Sequence, residues 1–210
     1  YTGCHADGTT FDGIAPFTTG NDLSTYDLST PNPVYFTRAD RMLQLATKYG
    51  FLVLLDPAEY GSWLGVLQSN GVTKARAYGR YLGTRYKDFP NIVWMSGNDF
   101  GSWSNASLDA LVREVALGIK DTDPNHIHTV ELGRGESSLD DSSWAPIISL
   151  NAAYARNTVY ADVLHAYNQS ASMPIPVFTS TTSPRGVAPR QRGKSPARSR
   201  DVWRICCKTS

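Results

Sequence analysis

The feature that most restricts the fold is a unit that recurs along the chain: an amphipathic segment of helical period, a short break, then an unbroken apolar run. Over residues 37–49, Ala39, Met42, Leu43, Ala46 and Tyr49 keep a helical period, Thr37 and Asp40 have the spacing of a capping box, and Gly50 is a stop. Phe51-Leu52-Val53-Leu54-Leu55 follows at once and ends at Asp56-Pro57. A run with no polar face suits a strand covered on both sides, as in a parallel sheet.

The unit then repeats. Residues 72–86 read as a helix with Val72, Ala75, Tyr78, Gly79, Leu82 and Tyr86 inward, closed by Asp88-Phe89-Pro90, and Asn91-Ile92-Val93-Trp94-Met95 is the next strand. Asn105 is placed to cap a third helix whose Leu108, Leu111, Val112, Val115 and Ile119 form one stripe. Asp123-Pro124-Asn125 turns the chain into the strand His128-Thr129-Val130-Glu131-Leu132. Ile147-Ile148-Ser149-Leu150 reads as a further short strand, residues 158–167 as a helix, and Ile175-Pro176-Val177-Phe178 as a last strand.

Alternating helices and strands predict a parallel α/β architecture, either a closed barrel or an open doubly wound sheet. Periodicity alone does not choose between them. The Gly-rich phosphate loop of most nucleotide-binding open sheets is missing, which favours the barrel.

The alternation stops after Phe178, and the charge changes with it. Residues 1–182 hold 12 Lys+Arg against 18 Asp+Glu, a net of −6, whereas residues 183–210 hold 8 basic side chains against Asp201 alone, a net of +7. Residues 179–210 are rich in Ser, Pro and Arg, offer few apolar anchors and are expected to be disordered. Their aromatic content is nearly confined to Trp203, so nucleic-acid binding is not expected of them. No apolar run reaches the roughly 18 residues a membrane span needs. Three cysteines, Cys4, Cys206 and Cys207, supply neither a disulfide framework nor a zinc spacing. The sequence leaves localisation open.

In a barrel of this kind the reactive groups stand at the carboxyl ends of the strands, so the polar residues after each apolar run are the candidates. Asn98 and Asp99 follow the strand that ends at Met95; Glu59 and Tyr60 follow Leu55; Glu131 closes its strand; Asn151 and Tyr154 follow Leu150. Trp63 and Trp103, with Trp94 and Trp144, lie near the same ends and offer flat faces of the kind that stack on sugar rings, though such residues serve equally as core. His126 and His128 flank the start of a strand, away from these ends, and no metal site is expected. Nucleophile-elbow, Cys/His and zinc patterns are all lacking, so no cofactor is implied and carboxylate chemistry is what the residues support.

Read together, these residues resemble the apiosidase-like glycoside hydrolases, a (β/α)8 family first catalogued as a domain of unknown function. The resemblance covers residues 1–178. It is most specific in Arg76-Ala77-Tyr78-Gly79-Arg80-Tyr81-Leu82-Gly83-Thr84-Arg85-Tyr86-Lys87-Asp88-Phe89-Pro90-Asn91-Ile92-Val93-Trp94, in Gly97-Asn98-Asp99 and in His128-Thr129-Val130-Glu131-Leu132. It implies a retaining glycosidase acting on an oligosaccharide or glycoside, and often a C-terminal accessory domain of a collagen-binding type in the full-length protein. It also implies that Asp99 is the general acid/base; Asn98, Glu59, Tyr60, Trp63, Trp103, Glu131, Asn151 and Tyr154, from their places near the strand ends, are the substrate-binding candidates.

The family nucleophile is a Glu just after a strand resembling Pro176-Val177-Phe178, but here Thr179-Ser180-Thr181-Thr182-Ser183-Pro184-Arg185 follows. The expectation is therefore an incomplete barrel over residues 1–178, without its first strand and its last βα unit, joined to an out-of-frame or altered segment over residues 179–210. Such a chain would be inactive or nearly so for want of a second carboxylate. The alternative is a relative that binds carbohydrate without cleaving it.

Overall fold

The computed structural model describes residues 7–57, 60–155, 159–180 and 202–205, the side chains of residues 60–62 and 202–205 excepted. Its elements alternate as α1 Pro33–Lys48, β1 Leu52–Leu55, α2 Tyr60–Tyr86, β2 Ile92–Phe100, α3 Ala106–Thr122, β3 Ile127–Leu132, β4 Asn151–Tyr154, α4 Val159–Ser170, β5 Val177–Ser180 and β6 Val202–Ile205. Two single 3-10 turns, Ser138–Asp140 and Ser142–Trp144, lie between β3 and β4.

Each strand ladder is parallel. One sheet has the order β3-β2-β1-β6 and a second pairs β4 with β5. A backbone bond from Ser149 N–H to the His128 carbonyl, 2.9 Å, brings the start of the second sheet beside β3. The array is thus a mixed α/β fold of parallel strands with their carboxyl ends on one side. Among the described residues the two sheets do not join into a closed ring.

Several elements begin where local chemistry, rather than the apolar period, sets them. Helix α1 starts at Pro33, earlier than residue 37: the Asn32 side chain accepts from Val34 N–H at 3.1 Å, and proline at the first helical position gives up only an N–H that has no partner there. Thr37 and Asp40, expected as a capping box, lie mid-helix instead. The Thr37 hydroxyl donates to the Pro33 carbonyl and Asp40 takes Arg85 in a two-point ion pair at 2.6 and 2.9 Å. Helix α2 is two helical segments merged across a break at Gly71 (φ 73°, ψ 171°), so the expected helix over 72–86 is its second half.

The run Ile147-Ile148-Ser149-Leu150 is not a strand. The two 3-10 turns carry Ile147 and Ile148 into the core, and β4 begins only at Asn151. Within the stretch expected to lack structure, Thr179 and Ser180 complete β5, and Val202–Ile205 pairs in parallel with β1. Val-Trp-Arg-Ile is a segment of high strand propensity inside a polar surround, and four such residues suffice for one short ladder.

Helices α2 and α3 pack without side chains between them at three points. A Cβ added to Gly79 would sit 2.1 Å from the Val115 carbonyl oxygen, one on Gly83 2.6 Å from that of Ile119, and one on Gly118 2.1 Å from that of Arg76. Around this seam Ala75, Leu82, Leu111, Val112, Val115 and Ile119 bury the apolar stripes that the sequence shows, against Trp94 and Val130 of the sheet. Asn105 caps α3 by accepting from Ser107 and Leu108 N–H, a contribution of about 1 kcal/mol. The pair holds β2 and β3 from behind, and their carboxyl ends form the rim described next.

Candidate active site at the carboxyl ends of the strands

Strand β2 does not stop at Met95 as its apolar run suggests but continues to Phe100 through a break in register between Ser96 and Phe100. The break is a left-handed turn of three residues, with φ of 103° at Gly97, 56° at Asn98 and 59° at Asp99. Side chains other than glycine pay roughly 1–2 kcal/mol each for such a conformation, and strain of this sort gathers at functional sites. Gly97 has a second reason to be glycine: a Cβ there would lie 2.4 Å from the Glu131 carbonyl oxygen. The turn lifts Asn98 and Asp99 onto the rim, where both are half-buried.

Two neighbouring strand ends reach Asp99, and a third reaches it through Glu131. Glu131, from β3, is fully buried; its Oε1 accepts from the Asp99 backbone N–H at 3.3 Å and its Oε2 accepts from the hydroxyl of Ser180 at the end of β5. Tyr154, from the end of β4, brings its phenol up to the Asp99 carboxyl. Burial raises that phenol above its ordinary pKa, and the carboxyls of Asp99 and Glu131 add to the effect, so Tyr154 stays a neutral donor. Arg134, exposed, lies over the Tyr154 ring at 5.7 Å and reaches its hydroxyl at 3.4 Å.

The loop after β3 is fastened to the same place. Gly135 N–H donates to the Tyr154 carbonyl at 2.7 Å and Tyr154 N–H to the Glu136 carbonyl at 2.9 Å. The Glu136 carboxylate accepts from Gly133 N–H at 2.7 Å and from Trp103 Nε1 at 2.8 Å, so Trp103, half-buried, is held in a fixed orientation next to the turn.

The structure therefore brings together Asn98, Asp99, Glu131, Tyr154 and Trp103 of the expected set. Others fall elsewhere. Asn151 starts β4 instead of following a strand, so it lies at the opposite end of that strand from Tyr154; its amide donates to the Ala166 carbonyl and Ser170 hydroxyl of α4, which makes it a packing residue. Trp63 stacks on Tyr26, with centroids 5.7 Å apart and planes at 16°, and leans on Phe17, which fastens the N-terminal loops to α2. Trp94 and Trp144 are fully buried and donate to Asp123 and Asp109. Glu59 lies outside the described residues, and Tyr60 opens α2 with its side chain likewise outside them.

Arg134, Glu136 and Ser180 were missed. The first two lie two and four residues past the end of β3, beyond the apolar run and its closing Glu131; Ser180 lies in the Ser/Pro/Arg-rich stretch expected to be disordered. His126 and His128 stand at the other end of β3, with His126 Nδ1 against Asp123 at 2.6 Å and Nε2 against the Phe89 carbonyl at 2.7 Å. Among the described residues no group of three His, Cys, Asp or Glu could hold a metal ion, and no helix is long and apolar enough to cross a membrane.

A family profile described as the apiosidase-like catalytic domain matches residues 5–178. The chain belongs to that family. Among solved structures it is similar to a glycoside hydrolase at 25% identity, with a TM-score of 0.54 over 68% of this chain and 35% of the other. A family 5 glycoside hydrolase from Bacteroides vulgatus shares the fold, at 22% identity and a TM-score of 0.56 over 68% of this chain and 32% of its own. The chain thus spans about a third of the length of these solved relatives. A comparison with curated proteins gives no match.

Proposed function

We propose that this chain carries the general acid/base of a retaining O-glycoside hydrolase, on strands that are a sector of a (β/α)8 barrel contributed by residues 1–178. One observation supports it above the others: Asp99 stands on a strained left-handed turn at the carboxyl end of β2, half-buried, with its backbone held by Glu131 and its carboxyl facing the Tyr154 phenol. A carboxyl so placed would give its proton to the glycosidic oxygen as the leaving group departs and then, as a carboxylate, take a proton from the water that follows. Trp103, fixed by Glu136, offers a flat face beside it, and Asn98 offers an amide to sugar hydroxyls. The substrate class is a glycoside or oligosaccharide.

Retention requires a second carboxyl about 5–5.5 Å from the first. The family places it directly after the strand that is β5 here, and this sequence has no acid from Thr179 to Arg185. The chain by itself should therefore hydrolyse glycosides feebly or not at all. That same lack favours the second reading, a relative that binds sugar without cleaving it. Aryl glycosides and a glycan array, tried on this chain and on a version with an in-frame glutamate after Phe178, separate the two. Hydrolysis by the restored version alone supports the enzyme, whereas binding by both without hydrolysis supports the sugar-binding protein.

A further inference from the structure

Glu131 is the one fully buried carboxylate of the rim, and its two oxygens face different strand ends: Oε1 the Asp99 backbone N–H at 3.3 Å, Oε2 the Ser180 hydroxyl. Its own backbone carbonyl fills the space that a Cβ on Gly97 would need, so the chain at position 131 shapes both the entry and the exit of the left-handed turn. A sugar cannot reach a side chain with no exposed surface. The expectation that Glu131 binds substrate is replaced by a different role.

We propose that Glu131 is a positioning residue that sets the distance between the Asp99 turn and the carboxyl end of β5. This rests on the reading of Asp99 as acid/base and deepens it. In a retaining site the separation of the two carboxyls decides the stereochemical outcome, and here one buried side chain grips the backbone of the first position and the residue that ends the strand preceding the second. A carboxylate suits the task because charge-assisted hydrogen bonds are shorter and roughly twice as strong as neutral ones, and because two separate oxygens can serve two donors on different strands. Glutamine keeps the shape but not the charge: its carbonyl oxygen can take Asp99 N–H and its NH2 can donate to Ser180 Oγ, so what it loses is the charge assistance that strengthens the bond to Asp99.

The test uses isotope-labelled full chain and NMR, and needs no catalysis. In the wild type the Asp99 amide proton should be shifted downfield, as bonding to a carboxylate requires. In Glu131→Gln that shift should shrink and Asp99 amide exchange should rise about tenfold relative to the amides of Val93 and Met95 in the same strand. In Ser180→Ala the carboxylate charge is no longer shared, so the Asp99 amide should move further downfield while the fold is kept. A folded Glu131→Gln with Asp99 unmoved in shift and exchange overturns the proposal. Should that variant not fold, an unmoved Asp99 amide in Ser180→Ala overturns it equally. Glycoside hydrolysis plays no part in either reading, so a failure here is distinguishable from a failure of the glycosidase assignment.

Discussion

Strands β2 and β3 bury polar groups at both ends, and the two ends use them differently. At the amino end, Asp123 is 1% exposed and takes Trp94 Nε1 at 2.8 Å and His126 Nδ1 at 2.6 Å on one oxygen, while His126 Nε2 faces the Phe89 carbonyl. Those contacts close on themselves, between ordinary strand and turn conformations. At the carboxyl end the backbone is forced through three consecutive positive φ values, Glu131 accepts from the Asp99 backbone N–H, and the Tyr154 phenol, itself reached by Arg134, faces the carboxyl of that half-buried aspartate. Polar burial alone does not mark a site. Convergence on a strained, accessible carboxyl does.

The difference can be broken most forcefully through activity. In a version with an in-frame glutamate after Phe178, Asp99→Ala should lower hydrolysis of poor leaving-group glycosides about 10² to 10⁴ fold and that of activated aryl glycosides much less. Asp123→Asn at the other end should leave rates on both substrate types nearly unchanged in whatever fraction stays folded. Equal losses on both substrate types in Asp99→Ala would remove it from the acid/base role.

Stability should answer in the opposite sense. Asp123→Ala leaves the buried Trp94 indole and His126 Nδ1 without their partner and should cost about 3 kcal/mol in urea unfolding, as stranding buried polar groups does. Asp99→Ala, at the rim, should cost less than 1 kcal/mol or even stabilise. A larger loss for Asp99 than for Asp123 would mean that the strained turn is an anchor of the fold.

A pH titration sharpens the amino end further. Burial first, and the Lys120 charge second, depress the pKa of His128 from 6.5 to about 4. Because the unfolded chain takes up this proton at higher pH than the folded one, stability is fully present above pH 6.5 and falls as the pH drops toward 4. The loss from this group should reach about 3 kcal/mol near pH 4. His128→Gln should flatten that part of the curve, and an unchanged slope would show that other groups govern it.

The smallest expected effect is at Asn98. Replacing it by glycine relieves a left-handed residue and should stabilise the protein by about 1 kcal/mol while weakening any sugar binding to which its amide contributes. A destabilised Asn98→Gly would mean that the amide is holding the turn.

Much of this was legible in the sequence where one physical demand dominates. The α3 stripe and its Asn105 cap, and the apolar strands at Leu52–Leu55 and Ile92–Met95, follow directly from burial and period. The apolar run at 147–150 misled because hydrophobicity reports burial, and two 3-10 turns bury Ile147 and Ile148 as well as a strand would. That slip of four residues also misplaced Asn151. The Asp99 position was legible from Gly97-Asn98-Asp99, since glycine followed by Asn and Asp is how a chain affords positive φ. The surroundings of Asp99 were not, because Glu131 and Tyr154 meet it from 32 or more residues away and Ser180 meets Glu131 from 49 residues away. Only strand order fixes such meetings.

The bare contact between α2 and α3 has a consequence for how this molecule can change. With carbonyl oxygens standing where side chains would be at Gly79, Gly83 and Gly118, the two helices mesh like a gear pair with a fixed phase. A single inserted residue in either helix would turn its outer half by about 100° and drive a side chain into its neighbour's backbone. Loops at the rim can lengthen, shorten and diverge among relatives, but these two helices can change length only outside the meshed turns. The freedom to vary the rim thus rests on a region that can hardly vary.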